Sequence, residues 1–121
     1  MSLNIYSLLL FCKNLDLTEK FYKNLGFNTE RSDDALRIKF GDIRLAFMDE
    51  KDATIKDDQE SKKGVGMYIY FKVDNVDLFF RSVKEKNIIT SSEPRDWPWG
   101  KREFVIRDPD GYKLVFFSNI N

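Results

Sequence analysis

Alternating apolar and polar positions divide the chain into short strands and two amphipathic helices. An apolar run of β-compatible residues from Ile5 to Cys12 predicts a strand. A helical spacing of apolar residues follows and predicts a helix. Asn14 or Asp16 could cap this helix, and Gly26 would end it. Three extended segments come next, and a Gly-Asp turn joins the last two into a hairpin. They cover residues 27–31, 36–40 and 43–48.

The same succession of elements is predicted again in the second half. A strand, a helix that Asp74 or Asn75 could cap, a short extended segment, a loop rich in Pro and Trp, and two further strands follow one another. They cover residues 67–73, 76–83, 87–89, 93–100, 103–107 and 112–118. The sequence Asn-Leu-Asp-Leu at 14–17 matches Asn-Val-Asp-Leu at 75–78, so the chain contains an internal repeat.

These patterns predict an α+β fold in which one domain contains two similar modules. A charged segment with few large apolar residues separates the two modules and is predicted to be a linker or a loop. The predicted parts are module one at residues 1–50, the linker at 51–66 and module two at 67–121.

The composition is that of a globular protein of one domain. The chain has 121 residues, of which 42% are hydrophobic and 33% are charged. Twenty Lys and Arg balance twenty Asp and Glu, so no large field of one sign should attract nucleic acid or an anionic membrane. The apolar run near the N-terminus is too short to span a bilayer and lacks the basic region that precedes it in a signal peptide. With Cys12 as its lone cysteine, the sequence predicts a cytoplasmic protein without internal disulfides.

The chain contains no histidine. Histidine is the commonest general base and the commonest transition-metal ligand, and both Ser-His-Asp and Cys-His arrangements depend on it. Any catalysis would therefore have to use Asp, Glu, Lys, Tyr or Cys. Cys12 is predicted to be a small buried hydrophobe on the helix-facing side of the first strand rather than a reactive thiol.

Two longer motifs and the order of the elements together resemble a known family. The segment at 13–27 reads KNLDLTEKFYKNLGF, and the segment at 100–112 reads GKREFVIRDPDGY. With two βαβββ units, they resemble the glyoxalase/bleomycin resistance/extradiol dioxygenase superfamily, also called vicinal oxygen chelate. The resemblance covers nearly the whole chain. It implies two βαβββ modules that form curved half-sheets around a cleft.

The resemblance also implies where a metal would be held. In enzymes of that superfamily, four inward-facing strand positions supply the ligands, usually two His or Gln and two Glu. In this chain those positions fall on Ser7, Ala46, Tyr68 and Val115. Such a set cannot form a transition-metal site of that type, because two of its members are apolar. The sequence therefore predicts neither a metal nor another cofactor.

Strand alternation predicts an unusual face on the second module. Alternate residues of a strand point to opposite faces of its sheet. In both the strand at 67–73 and the last strand, one alternate set is predicted to face the core, and the other set is aromatic, basic or aliphatic. The second set contains Tyr68, Tyr70, Lys72, Lys113, Val115 and Phe117. Such a face is too apolar to lie in water, so a ligand, a partner or the other half-sheet is expected to cover it.

Several candidate residues have two readings. Trp97 and Trp99 could form a rigid aromatic wall at the cleft mouth, or belong to a packed loop or a dimer contact. Tyr68 and Tyr70 could stack on a ligand, or fill the space between the half-sheets.

The charged candidates are equally open. Basic residues could converge on an anionic ligand, with Arg102 joining them from beside the Trp loop, or be ordinary solvated strand positions. They are Arg37, Lys39, Arg44, Lys72 and Lys113. Glu103 could be a general base or an anchor for a cation, but a partner role for Arg102 or Arg107 is favoured.

The leading hypothesis is a metal-free protein of the bleomycin-resistance type. Such a protein is expected to be a homodimer that binds a small aromatic or antibiotic-like ligand in a cleft, with no catalytic residue. The predicted ligand-binding residues are Ser7, Ala46, Tyr68, Tyr70, Lys72, Trp97, Trp99, Arg102, Val115 and Phe117. A flat or anionic aromatic ligand suits them better than cationic bleomycin. The alternatives are a metal-dependent lyase, isomerase or dioxygenase with non-standard ligands, and a scaffold whose own side chains close the cleft.

Overall fold

Each half of the chain forms one four-stranded mixed sheet that carries one helix. A computed structural model describes residues 1–120. It contains two units, and the boundary between them falls between Lys63 and Gly64, inside the predicted linker. Each unit has the order strand, helix and three strands, as the sequence predicts.

The first unit contains β1 to β4 and α1. The sheet order is β1-β4-β3-β2, and β1 runs parallel to β4 while the other pairs are antiparallel. The bounds are β1 (Ser7–Cys12), α1 (Leu15–Leu25), β2 (Thr29–Arg31), β3 (Leu36–Phe40) and β4 (Ile43–Asp49). Two 3-10 helices follow, at Glu50–Asp52 and Lys56–Asp58.

The second unit repeats this arrangement. Its sheet order is β5-β8-β7-β6, with β5 parallel to β8. The bounds are β5 (Tyr68–Lys72), α2 (Val76–Glu85), β6 (Arg95–Asp96), β7 (Lys101–Arg107) and β8 (Lys113–Asn119). The two-residue strand β6 lies in the segment that the sequence predicts as a loop, and it pairs with β7.

The repeat extends to the helix caps. The side chain of Asn14 accepts a hydrogen bond from the backbone N–H of Leu17, and Asn75 accepts one from Leu78, each at 3.1 Å. Gly26 ends α1 with a φ of 105°, a left-handed conformation that glycine adopts without steric cost. These caps explain why both helices begin at equivalent positions of the repeat.

One face of each sheet packs against its own helix. In the first unit, Cys12 is fully buried, as predicted, and the ring of Tyr22 on α1 lies 4.8 Å from that of Phe47. In the second unit, Phe79 on α2 lies 4.6 Å from Phe116, and Phe104 is fully buried beside them. These aromatic contacts fix which face of each sheet remains for other contacts.

A buried ion pair joins the two ends of the segment that follows β4. The Lys63 ammonium lies 3.1 Å from a carboxylate oxygen of Glu50 and also donates to the backbone oxygen of Asp58. The other Glu50 oxygen accepts from the backbone N–H of Glu60 at 2.8 Å. Burial alone would raise the pKa of Glu50, but the hydrogen bonds from Lys63 and Glu60 outweigh it and lower the pKa. The limits of the predicted linker, 51–66, stay a prediction.

Over residues 1–120, neither helix has the length and apolar character needed to cross a bilayer.

Candidate functional site

The face of the second sheet opposite α2 is aromatic and basic, as the alternation of the sequence predicts. Strand register places cross-strand partners on the same face, pairing Tyr68 with Lys113, Tyr70 with Val115, and Lys72 with Phe117. On the other side of β8, Phe117 pairs with Glu103 of β7. We call this surface the aromatic face. Its strand residues are Tyr68, Tyr70, Lys72, Arg95, Lys101, Glu103, Val105, Arg107, Lys113, Val115, Phe117 and Asn119.

Glu103 is the buried centre of the aromatic face. Its side chain accepts a hydrogen bond from the Tyr70 hydroxyl at Oε1 and one from the Trp99 indole N–H at Oε2, each at 3.3 Å. Only 6% of the residue is exposed. The favoured expectation that Glu103 pairs with Arg102 or Arg107 is therefore wrong. Glu103 bonds Tyr70 and Trp99, whereas Arg102 donates to Asp77 and Arg107 to the backbone oxygen of Gly111.

The charge of Glu103 also affects the tyrosine. Burial raises the pKa of Tyr70, and the Glu103 carboxylate raises it further by disfavouring a second negative charge beside it. Tyr70 thus stays a neutral hydrogen-bond donor over the physiological range. Glu103 therefore orients two aromatic side chains of this face, Tyr70 and Trp99.

The two tryptophans form a stack that ends in an exposed ring. Trp97 and Trp99 lie parallel, with centroids 4.8 Å apart and an interplanar angle of 10°. The guanidinium of Arg95 covers the ring of Trp97 at 3.9 Å. Trp99 remains 53% exposed although its N–H is fixed by Glu103. The two rings thus stack on each other within this unit, and their predicted role as a wall at the cleft mouth stays a prediction.

An open depression lies beside this stack. It has a volume of about 450 Å³ and is lined by Tyr70, Trp99 and Lys101. The Lys101 ammonium lies 5.3 Å from the ring centroid of Phe117, and Tyr70 contacts the same ring edge-on at 5.9 Å. Three of the predicted ligand-binding residues, Tyr70, Trp99 and Phe117, thus lie together. Lys101 was missed by sequence reasoning, although it shares the parity of Glu103.

Arg102 lies on the opposite face of the sheet. It has the parity of the buried residues Phe104 and Ile106, which face α2. Its guanidinium donates to both carboxylate oxygens of Asp77, at 3.0 and 3.1 Å, and to Asp96 at 3.1 Å. These hydrogen bonds raise the pKa of Arg102 and lower the pKa of Asp77. The structure does not bring Arg102 together with Tyr70, Trp99 and Phe117.

The remaining predicted residues of the second module differ in accessibility. Tyr68 is exposed and carries the Lys113 ammonium 4.8 Å from its ring centroid, and Lys72 is exposed as well. Val115 is only 1% exposed, although its register with Tyr70 places it on the aromatic face. Its predicted contact with a ligand stays a prediction.

In the first unit, Ser7 and Ala46 lie on the equivalent face of their own sheet. Ser7 pairs with Arg44, and Ala46 pairs with Leu9 on one side and Arg37 on the other. The Arg44 guanidinium stacks on the Tyr6 ring at 4.2 Å and donates to its hydroxyl at 2.9 Å. Arg44 therefore already has an aromatic partner within its own unit.

The side chains at the four family metal positions do not fit a metal. Ser7 offers a neutral hydroxyl, Tyr68 carries a lysine over its ring, and Ala46 and Val115 have no donor atom. Within the part of the chain that the structure describes, no group of three or more His, Cys, Asp or Glu side chains is placed to hold a metal ion. We therefore derive no chemistry through a metal.

Comparison with known proteins identifies the family. The model of the Glyoxalase/Bleomycin resistance protein/Dioxygenase superfamily matches residues 4–116. The chain belongs to this superfamily, as its motifs suggest. No curated protein sequence matches it.

Solved structures share the fold at low sequence identity. A glyoxalase/bleomycin resistance protein/dioxygenase from Nocardioides is 19% identical with a TM-score of 0.83, over 100% of this chain and 86% of that one. A bleomycin-binding protein in complex with bleomycin is 24% identical with a TM-score of 0.70, over 98% and 99%. A lactoylglutathione lyase from Agrobacterium tumefaciens is 20% identical with a TM-score of 0.72, over 95% and 92%. At these sequence identities the comparisons show a shared fold only. The names of the three proteins indicate different functions.

Proposed function

We propose that the protein binds a small molecule with a planar aromatic ring, without a metal, at the aromatic face of its second module. The observation that carries the proposal is the exposed indole of Trp99, which Glu103 holds rigidly beside the open depression. An exposed aromatic ring with both its orientation and its neighbours fixed loses little conformational entropy when a ligand stacks on it.

The energetics of the face support binding. Offset or edge-on contacts between aromatic rings contribute about 0.5–1.5 kcal/mol beyond their buried area, and the depression offers both Trp99 and Tyr70. Concave, mostly aromatic sites with few polar groups are the usual form of small-molecule sites. A function in binding also agrees with the donor set, because Ser7, Ala46, Tyr68 and Val115 supply no metal site.

A function in binding agrees with what one protein of the same fold does. That protein, 24% identical, binds bleomycin. Bleomycin is not proposed as the ligand of this chain, because basic residues outnumber acidic ones on the aromatic face.

The protein is further proposed to act as a homodimer in the cytoplasm. Large apolar side chains are exposed along and before β1, among them Ile5, Tyr6 and Leu9, and such patches commonly mark association surfaces. Sedimentation equilibrium over a range of protein concentrations tests this. A monomer at every concentration would remove this part of the proposal without affecting the site on the second module.

A direct test uses the two indole N–H signals of the ¹⁵N-labelled protein. Trp99→Phe assigns them, and titration with a planar bicyclic aromatic compound is expected to shift the Trp99 signal. The saturated bicyclic compound of the same size should shift it far less, because it cannot stack. Trp99→Leu should abolish most of the binding, whereas Phe40→Leu is the matched control on the helix-facing side of the first sheet. Equal binding of the aromatic and saturated compounds would refute the proposal.

Elemental analysis of the same preparation tests the proposal that the protein binds its ligand without a metal. Binding should persist after treatment with a chelator. Stoichiometric metal, together with lyase, isomerase or ring-cleavage activity, would instead establish the enzyme alternative.

A further inference from the structure

Basic residues greatly outnumber acidic ones on the aromatic face. Its strand positions carry five cations and one carboxylate, Glu103. The cations are Lys72, Arg95, Lys101, Arg107 and Lys113. The chain as a whole has no net charge, so this excess is local to one face of one sheet.

Among the described residues, 1–120, no ion pair joins any of these five cations to a carboxylate. The ion pairs found within residues 1–120 involve other basic residues. The Glu103 carboxylate is bonded to Tyr70 and Trp99 and only 6% of the residue is exposed, so a ligand has little access to it. The exposed potential of the face is therefore positive.

The protein's own cations already cover several of the aromatic rings. Arg95 lies over Trp97 at 3.9 Å, and Lys113 lies over Tyr68 at 4.8 Å. Lys101 occupies the same place over Phe117 at 5.3 Å. A cationic ligand would meet like charges at each of these rings, which disfavours it.

Two of the lysines lie near Phe117, which borders Tyr70 and Lys101 of the depression. Lys101 lines the depression and lies over the Phe117 ring, and Lys72 is the register partner of Phe117, one strand spacing of about 4.8 Å away. Phe117 thus has one lysine over its ring and another beside it in the sheet. An anionic group placed beside Phe117 would be near Lys101 and on the same face as Lys72, while its ring could reach Trp99 and Tyr70.

We propose that the ligand class of this site is a planar aromatic acid, ionised at neutral pH, with Lys101 and Lys72 binding its anionic group. This inference rests on the proposed function and adds the charge of the ligand to it. Lys101 is the specificity-determining residue, because it alone of the two lysines lines the depression.

The test compares three compounds with one naphthalene ring system that carry a carboxylate, a carboxamide or an aminomethyl group. Calorimetry at low ionic strength is expected to show the carboxylate binding about tenfold more tightly than the carboxamide, the usual effect of one well-placed charge-assisted contact. The aminomethyl compound should bind most weakly. Added salt should weaken binding of the carboxylate but not of the carboxamide, because it screens exposed charges.

Lysine variants locate the effect. Lys101→Met should weaken carboxylate binding about tenfold and so remove its preference over the carboxamide, and Lys72→Met should weaken carboxylate binding about threefold. Lys101→Arg retains the charge and should retain the preference, which separates a lost charge from a disturbed fold. Lys84→Met is the matched control, since Lys84 lies over the Phe80 ring at 5.8 Å on α2, outside the site.

Each outcome decides the inference. Equal affinities for carboxylate and carboxamide would overturn it and leave aromatic binding intact. Tightest binding of the aminomethyl compound would overturn it as well. Failure of all three compounds to bind would contradict the proposed function itself, and the inference with it.

Discussion

Replacement of Glu103 tests whether this buried carboxylate holds the aromatic face together. Hydrogen bonds to charged groups contribute about 1.5–3 kcal/mol each. Both contacts of Glu103 measure 3.3 Å, longer than the usual ~2.7–2.9 Å, so the lower limit applies to each of them. Leucine also removes the cost of burying a charge, so part of the stability lost with the two hydrogen bonds is regained. Glu103→Leu is therefore expected to lower the free energy of unfolding by about 1–2 kcal/mol.

The assay is urea unfolding followed by circular dichroism of the backbone. Glu103→Gln should cost only about 0.5–1 kcal/mol, since its amide can accept from Trp99 and donate to Tyr70. Glu30→Leu is the matched control for a strand position, as Glu30 is exposed on β2, and it should change stability by less than about 0.5 kcal/mol. In both Glu103 variants the pKa of Tyr70 should move down towards its ordinary value. Equal stability of wild type and Glu103→Leu, or an unmoved Tyr70 pKa, would refute the reasoning.

Three further predictions concern the core, a cap and acid stability. Phe104→Ala should destabilise the protein by about 3–5 kcal/mol in chemical denaturation, because a fully buried ring packed on three others at 5.1–6.1 Å leaves a cavity. Asn14→Ala should lower the free energy of unfolding by about 1 kcal/mol because the helix cap is lost. Asn24→Ala, near the end of the same helix, should leave it unchanged. Equal losses of stability in thermal melts of the two variants would contradict this prediction. The pKa of Glu50 lies below its unfolded value near 4.5, so its pairing with Lys63 stabilises above that pH and is lost as pH falls through the lowered value. The stability advantage of wild type over Glu50→Gln should accordingly vanish in acid, and a constant difference would count against the pairing.

Local signals predicted the fold well because each acts over a few residues. Asn14 and Asn75 cap their helices, and Gly26 ends α1, because cap chemistry depends only on adjacent backbone. The alternation of β5 placed Tyr68 and Tyr70 on one face because strand geometry has a period of two residues. With the internal repeat, these signals were sufficient for two βαβββ modules.

The candidate site was predicted only in part, because its contacts depend on the path of a loop. Glu103 bonds Trp99 across the turn at Gly100 and Tyr70 across an intervening strand, and no sequence spacing indicates the second contact. For Arg102 a signal was present but unused: its parity with Phe104 already places it on the helix side. The pairing of Glu50 with Lys63 spans a segment without periodicity, so only the folded chain shows it.

The stack of Trp97 and Trp99 makes the protein its own optical reporter. Since the chain has only these two tryptophans, all of its indole emission originates at the candidate site. Parallel chromophores at 4.8 Å also couple electronically, so the pair should give an exciton signal that a single ring lacks. Displacing Trp99 would change intensity, wavelength and coupling together. A library of unlabelled compounds can therefore be screened by fluorescence quenching on the unmodified protein, without a dye or an assay for chemistry.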